Sequence, residues 1–66
     1  MATIRLYNEF GSARFEANTP RSLKIVLNKA EKNSLSFEVI RGLEYNWVRQ
    51  TILNHRESIG EYLEIV

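Results

Sequence analysis

Hydrophobic and polar residues alternate in three stretches of the first 42 residues, which is the period-2 pattern of strands with one buried side. These stretches are residues 3–7, residues 13–18 and residues 35–40. Turn-forming residues fill positions 8–12, so the first two stretches predict an antiparallel hairpin. The third stretch stops at an Arg-Gly pair, residues 41–42, which predicts a tight turn.

The segment after the predicted hairpin carries apolar residues at the spacing of an α-helix. One apolar stripe at the spacing i, i+3, i+4 and i+7 is formed by Leu23, Val26, Leu27 and Ala30. Residues 19–22, Thr-Pro-Arg-Ser, carry the start signal, because Pro suits a first helical position and a hydroxyl side chain caps free N–H groups. The pattern predicts an amphipathic helix of about three turns that packs on the hairpin.

The segment after the predicted turn has the weakest pattern. Residues 43–48 are short and aromatic, and we interpret them as a brief edge strand. Residues 49–58 predict a loop or a short helical turn, with Ile52 and Leu53 as its anchors in the core.

The last residues return to the period of a strand. Gly60 marks a turn, and Leu63 and Ile65 lie on one side of an alternating stretch at residues 61–66. The element order is therefore β-β-α-β-(β)-β, which predicts one α+β domain over residues 1–66 with a mixed sheet and one helix packed on one face. We expect the last strand in the middle of the sheet, parallel to the first.

Composition narrows the class of protein. With 66 residues, 44% hydrophobic and 26% charged, the chain is typical of a small globular domain. Cysteine is absent and no apolar run approaches the roughly 20 residues of a membrane span, so we expect a soluble protein in the cytoplasm of a bacterial or infected host cell. All eight acidic residues are Glu, which disfavours a hard-metal site.

No group of residues has a spacing typical of catalysis. His55 is the only histidine, and without Cys or Asp it lacks partners for a metal site or a nucleophilic pair, so we expect it to be structural or solvent-facing. We expect the rings of Tyr45 and Trp47 to cover the core and not to stack on a ligand. We therefore expect no enzyme activity, no cofactor and no metal.

Several segments together resemble the β-grasp (ubiquitin-like) proteins. They are residues 4–7, residues 15–17 before the helix start, residues 37–42 and residues 59–66. The resemblance extends to two related groups, the sulfur carriers of thiamine and molybdopterin synthesis and the N-terminal domain of the tail assembly protein I of lambda-like phages. It implies a β-grasp fold and a protein that works by binding another macromolecule.

The two groups differ in what they require of the C-terminal residues. The sulfur carriers act through a tail ending in Gly-Gly, whereas residues 64–66 here are Glu-Ile-Val. The phage protein needs no Gly-Gly at this point, so we expect a non-enzymatic protein–protein interaction module in phage tail assembly or host interaction. The alternatives are a sulfur-carrier relative lacking its Gly-Gly tail and a small nucleic-acid-binding accessory protein.

Strand alternation also predicts a binding surface on the side of the sheet away from the helix. The partner-binding residues that we expect there are Arg5, Tyr7, Arg14, Ile40, Tyr62 and Glu64. Tyr and Arg beside aliphatic residues are typical of interface hot spots, and the ubiquitin-like resemblance implies binding through this surface. The alternative interpretation is that cross-strand Tyr–Arg and Tyr–aliphatic pairs only stabilise a one-sided sheet.

The predicted helix supplies a second, basic surface. Its cations are Arg21, Lys24, Lys29 and Lys32, and Glu31 interrupts them. The net charge of +1 gives no strong attraction to nucleic acid, so a protein partner is favoured over a polyanion. We expect no membrane contact, and a monomer or a weak dimer paired through an edge strand.

Overall fold

Three strands and two helices make up residues 1–58, the part of the chain that this computed structural model describes. The strands are β1 (Ala2–Asn8), β2 (Gly11–Ala17) and β3 (Ser36–Arg41). The helices are α1 (Pro20–Lys32), between β2 and β3, and α2 (Asn46–Ser58), after β3. The described residues therefore form a small α+β domain, as the sequence predicts.

The sheet has the strand order β2-β1-β3, with β1 antiparallel to both neighbours. Ile4 lies opposite Phe15 on β2 and opposite Val39 on β3, so one side of the sheet carries apolar residues from all three strands. The predicted hairpin is confirmed by the pairing of β1 with β2. The third predicted strand is confirmed as β3.

The place expected for the last strand is already filled in the described sheet. One edge of β1 pairs with β2 and the other with β3, so β3 lies where a strand parallel to β1 was expected. The described strands are antiparallel throughout, whereas the sequence led us to expect a mixed sheet. The strand predicted at residues 61–66 lies outside the described residues.

Helix α1 begins where the sequence predicts. Thr19 Oγ1 accepts a hydrogen bond from the Ser22 backbone N–H, and Ser22 Oγ accepts one from the Thr19 backbone N–H, both at 3.1 Å. This capping box, together with Pro20 in the first turn, satisfies or removes N–H groups that a helix start leaves free. The buried side of α1 is the predicted stripe of Leu23, Val26, Leu27 and Ala30.

Helix α2 replaces the elements predicted for residues 43–58. The edge strand expected at residues 43–48 is wrong, and the loop or short turn expected at residues 49–58 is a helix of 13 residues beginning at Asn46. The carbonyl oxygen of Tyr45 accepts hydrogen bonds from the N–H groups of Val48 and Arg49 at 3.2 and 3.3 Å. Helix α2 therefore begins inside residues 43–48, the segment for which the sequence predicts a strand.

The buried side of α2 explains why its sequence pattern is weak. Its buried residues are Val48, Thr51 and His55, at i, i+3 and i+7. Two of the three are polar, so the continuous apolar stripe that reveals α1 is missing. Ile52 packs against the core as predicted, whereas Leu53 is 40% exposed and is not the core anchor that the sequence suggested.

The core lies between the sheet and the two helices, which pack on the same side of the sheet where one helix was expected. Its buried residues are Ala2, Ile4, Leu6, Ala17, Leu23, Val26, Leu27, Ala30 and Val48. Trp47 packs against this core, and the exposed ring of Tyr45 stacks on Trp47 with the ring centroids 6.4 Å apart. Neither described helix is long and apolar enough to cross a membrane.

Candidate functional site

The side of the sheet that the helices leave uncovered carries the strand residues that alternate with the core positions. We call this surface the open face, and its residues are Thr3, Arg5, Tyr7, Ser12, Arg14, Glu16, Ser36, Glu38 and Arg41. The strand register sets Arg5 between Arg14 on β2 and Glu38 on β3. Arg5 therefore lies at the centre of the open face.

Two contacts hold the Arg5 side chain in place. Its Nε donates a hydrogen bond to Glu38 Oε1 at 2.5 Å, and its Cζ lies 4.2 Å from the centroid of the Tyr7 ring. The Arg5 side chain is 32% exposed, so water reaches the pair but does not surround it. A charge-assisted hydrogen bond and a cation–π contact thus fix a guanidinium and a Tyr ring side by side on the surface.

Arg14 carries a positive charge that no described carboxylate neutralises. It lies directly across from Arg5 in the β1–β2 pairing. Within residues 1–58, the ion pair of the open face joins Arg5 to Glu38, and Arg14 has no carboxylate oxygen within 4.0 Å. Like charges opposite each other weaken a strand pair, so the Arg5–Arg14 arrangement has no explanation in the stability of the hairpin.

Ile40 lies at an irregularity in β3. Val39 pairs with Ile4 and Arg41 pairs with Thr3, which leaves Ile40 as the extra residue of a bulge. Its side chain is 43% exposed, two positions along β3 from Glu38. It lies at the margin of the open face and adds an apolar group there.

The predicted partner-binding residues therefore fall into two sets. The structure places Arg5, Tyr7 and Arg14 together on the open face, with Ile40 at its margin. Tyr62 and Glu64 lie outside the described residues. Glu38 is not among the residues that the sequence predicts for partner binding, and its contact with Arg5 depends on the strand register.

A second surface, which the sequence did not predict, is a groove between β3 and α2. It encloses about 430 Å³ and is lined by Phe37, Glu38, Val39, Leu43, Arg49, Ile52, Leu53 and Arg56. Leu43 is 53% exposed and Leu53 is 40% exposed, so its apolar lining is open to solvent. Sequence reasoning missed this β3–α2 groove because one of its walls was interpreted as a strand and a loop.

His55 lies on the side of α2 that faces α1 and is only 6% exposed. Its Nε2 is 3.9 Å from Glu31 Oε2, and its buried Nδ1 has no hydrogen-bond partner within residues 1–58. Of the two positions expected for this residue, the structural one is observed and the solvent-facing one is not. The described residues include no group of three His, Cys, Asp or Glu side chains placed to hold a metal ion.

The exposed side of α1 carries the predicted basic surface, which we call the basic face. Its cations are Arg21, Lys24, Lys29 and Lys32, all exposed and all on the side away from the buried stripe. Glu31 lies at the margin of this surface, where it approaches His55 of α2. Ile25, 63% exposed, lies among the cations.

The open face, the β3–α2 groove and the basic face are the surfaces from which a function can be argued. No protein-family model, no curated protein and no solved structure matches this chain.

Proposed function

We propose that the chain is a non-enzymatic protein-binding module that docks a partner protein through the open face. The observation that carries the proposal is the Arg5–Tyr7–Glu38 cluster beside the unneutralised charge of Arg14. Arg and Tyr are the residue types that most often dominate the binding energy of protein interfaces. Here they lie on a side of the sheet that neither described helix covers.

Preorganisation supports the docking role of Arg5 and Tyr7. Ordering a long side chain at an interface costs about 0.5–1.5 kcal/mol, and less of this cost arises when the side chain is already held in the free protein. Glu38 and the Tyr7 ring hold Arg5 in this way. A partner therefore meets a fixed guanidinium–phenol pair instead of two mobile side chains.

Charge indicates what the partner presents. Arg14 lies beside Arg5. Of the two glutamates on the open face, Glu38 pairs with Arg5, and Glu16 has no cationic group within 4.0 Å in the described part of the chain. A partner carboxylate placed against Arg14 would relieve the like-charge pairing of β1 with β2. The proposed partner surface therefore presents a carboxylate opposite Arg14 and an apolar group opposite Ile40.

The test is a charge reversal with a matched control on the other side of the molecule. A partner captured with the tagged protein from its native source is purified, and its affinity is measured by calorimetry for wild type, Arg14→Glu, Tyr7→Ala and Lys29→Glu. Arg14→Glu and Tyr7→Ala are each expected to weaken binding about tenfold or more, since interface hot spots are worth about 2 kcal/mol. Lys29→Glu, with the same change of charge on α1, should bind as wild type does.

Two results would contradict the docking proposal. One is wild-type affinity for both open-face variants when their melting temperatures match that of wild type. The other is a loss of affinity caused by Lys29→Glu alone, which would move the site to the basic face.

The basic face supports a second candidate function, the binding of nucleic acid. Four cations lie on one exposed side of α1, and its acidic residue Glu31 is turned toward His55. A cationic helix surface of this kind contacts phosphates, and each such contact makes the affinity fall with salt. Fluorescence anisotropy of a labelled oligonucleotide should then show salt-dependent binding that Lys24→Glu and Lys29→Glu remove and Arg14→Glu leaves intact.

The biological setting is proposed from the resemblance alone: phage tail assembly or an interaction with host protein. The β2-β1-β3 order weighs against a β-grasp relation, because that fold sets its last strand beside the first, where β3 lies here. The sulfur-carrier alternative requires a Gly-Gly tail, and an intact mass of the native protein that includes two further glycines would favour it.

A further inference from the structure

Strand β2 forms one edge of the described sheet. It pairs with β1 on one side, and no strand within residues 1–58 pairs with it on the other. Helix α1 leaves part of the strand uncovered, since Ala13 is exposed and Phe15 is half-buried on the side of the sheet that faces the core. A seven-residue edge strand of this kind favours pairing with another strand.

The hairpin turn decides which backbone groups of β2 point outward. Two residues separate Asn8 from Gly11, so these two form a hydrogen-bonded pair that closes the hairpin. Hydrogen-bonded pairs alternate along an antiparallel ladder, so every second residue of β2 directs its backbone groups toward β1. The N–H and C=O groups of Ser12, Arg14 and Glu16 therefore point away from β1, where a further strand would meet them.

We propose that this edge pairs with β2 of a second copy of the chain, antiparallel and around a twofold axis at Phe15. The axis places Phe15 opposite its own copy and Arg14 opposite Glu16 of the second copy. The reciprocal pair forms as well, because a twofold interface uses the same patch on both subunits. The second copy then supplies the carboxylate that the proposed function places opposite Arg14, and to this extent the dimer rests on that function.

Charge selects this register among those that symmetry allows. Two antiparallel strands related by a twofold axis set one residue opposite its own copy. An axis at Arg14 would set two guanidinium groups against each other, and an axis at Glu16 two carboxylates. An axis nearer the hairpin turn places neutral residues opposite both charges. The axis at Phe15 joins each cation to an anion.

Both charges are unmatched in the described part of the single chain. Within residues 1–58, Arg14 has no carboxylate oxygen within 4.0 Å, and Glu16 has no cationic group within that distance. Arg14 lies opposite Arg5 and Glu16 lies opposite Thr3, so the pairing of β2 with β1 gives neither an opposite charge. A second β2 in the stated register gives one to each.

The other side of this interface is apolar. Phe15 packs against the core, and Lys29 Nζ lies 5.2 Å from its ring centroid. The exposed Ala13 would lie opposite Ala17 of the second copy. The paired strands therefore cover apolar groups on one side of the sheet and match charges on the other, which are the two kinds of cross-strand pair that stabilise a sheet.

The test uses two charge reversals and their mixture. Arg14→Glu sets like charges opposite each other in its own dimer, and so does Glu16→Arg. Each variant is therefore expected to self-associate at least about tenfold more weakly than wild type. In a dimer of one variant with the other, both cross-strand pairs again join opposite charges, so their affinity should return to within about threefold of that of wild type. Analytical ultracentrifugation with one variant labelled measures these constants.

Glu44→Arg provides the matched control, because Glu44 is exposed, lies beyond β3 and undergoes the same change of charge as Glu16. Labelled Arg14→Glu should bind this control at least about threefold more weakly than it binds Glu16→Arg. The dimer is overturned if wild type stays monomeric up to about 1 mM, or if the two reversals associate no better together than alone. Monomeric wild type whose partner is lost on Tyr7→Ala would reject the dimer and keep the docking function.

A disulfide measures the register independently, since the chain has no cysteine of its own. Phe15→Cys places two thiols at a pair whose Cα atoms are about 4.5 Å apart, a separation that a disulfide can span. Ala13→Cys is the control, because four residues, or about 13 Å of strand, separate it from its copy. The Phe15→Cys dimer should form at least about tenfold faster on oxidation. Equal rates, or a faster Ala13→Cys, would overturn the axis at Phe15.

Discussion

Gly42 links the end of β3 to α2 at a point where no other residue fits. Its φ is +101°, a conformation that residues with a Cβ rarely adopt. A Cβ at this position would lie 2.9 Å from the Ala2 Cα and 3.2 Å from the Met1 carbonyl oxygen. Both are backbone atoms, and Ala2 is fully buried, so they do not move aside as a flexible side chain would.

Gly42→Ala is therefore expected to reduce the free energy of unfolding by roughly 1–3 kcal/mol from backbone strain, with the steric contact adding to the loss. Urea unfolding followed by circular dichroism measures the change. Gly11→Ala is the comparison, because a Cβ there meets no atom within 4 Å and the steric part of the loss is absent. An equal loss for both variants would contradict the close approach of Gly42 to Ala2.

Residue by residue, alternation correctly placed Arg5, Tyr7 and Arg14 on one side of the sheet, because the direction of a side chain depends only on its own strand. Alternation does not predict the contacts that these residues make with one another. Whether Arg5 meets Glu38 depends on which strand lies beside β1 and in which register. Neither is encoded in the period of a single strand.

Among the elements, α1 and α2 show when a sequence pattern is sufficient. Helix α1 carries a capping box and an apolar stripe, so the start and the buried side were predictable. Helix α2 buries Thr51, whose hydroxyl donates a hydrogen bond to the Trp47 carbonyl at 2.6 Å. A hydroxyl satisfied within its own helix can be buried, and such a residue looks polar in the sequence.

The cap of α1 gives a prediction at the same scale. Thr19→Ala removes the Oγ1 acceptor of the Ser22 N–H and is expected to destabilise the domain by about 1 kcal/mol. The urea midpoint of unfolding measures this, with Asn18→Ala as the control, since Asn18 is exposed and enters the cap only through its backbone N–H. Equal midpoints for the two variants would mean that the capping box contributes nothing measurable.

At the scale of the molecule, stability depends on the core that the described residues form. Within residues 1–58, the nine buried hydrophobic residues form a single cluster shared by both helices and the sheet. A single core in a chain of 66 residues rarely supplies more than about 3–5 kcal/mol of stability. The free energy lost by creating one large cavity in this cluster is therefore comparable with the entire stability of the domain.

Leu27→Ala is expected to leave much of the protein unfolded at 37 °C, because truncating a buried leucine costs about 2–5 kcal/mol. Ile25→Ala on the same helix is the control, since Ile25 is 63% exposed and its truncation should change stability by about 0.5 kcal/mol or less. Thermal unfolding by circular dichroism compares them. A folded Leu27→Ala protein with a melting temperature near that of wild type would contradict the single-core account.

The class of the domain followed from the order of its elements, but the strand order did not. Period-2 alternation identifies which side of each strand is buried, and every arrangement of three such strands buries the same sides. The neighbours of β1 are chosen by contacts between residues far apart in sequence, such as Leu6 with Phe37. That choice placed β3 where the last strand was expected.

The central position of β1 has a consequence for how the protein is made. During synthesis β1 leaves the ribosome before both of its partners, and its contact with β3 must wait until residues 36–41 have also emerged. Until then one edge of an apolar strand is exposed, and the hairpin with α1 is the largest unit that can assemble. A slow stretch of translation before residues 36–41 emerge would thus prolong a partly folded, aggregation-prone chain.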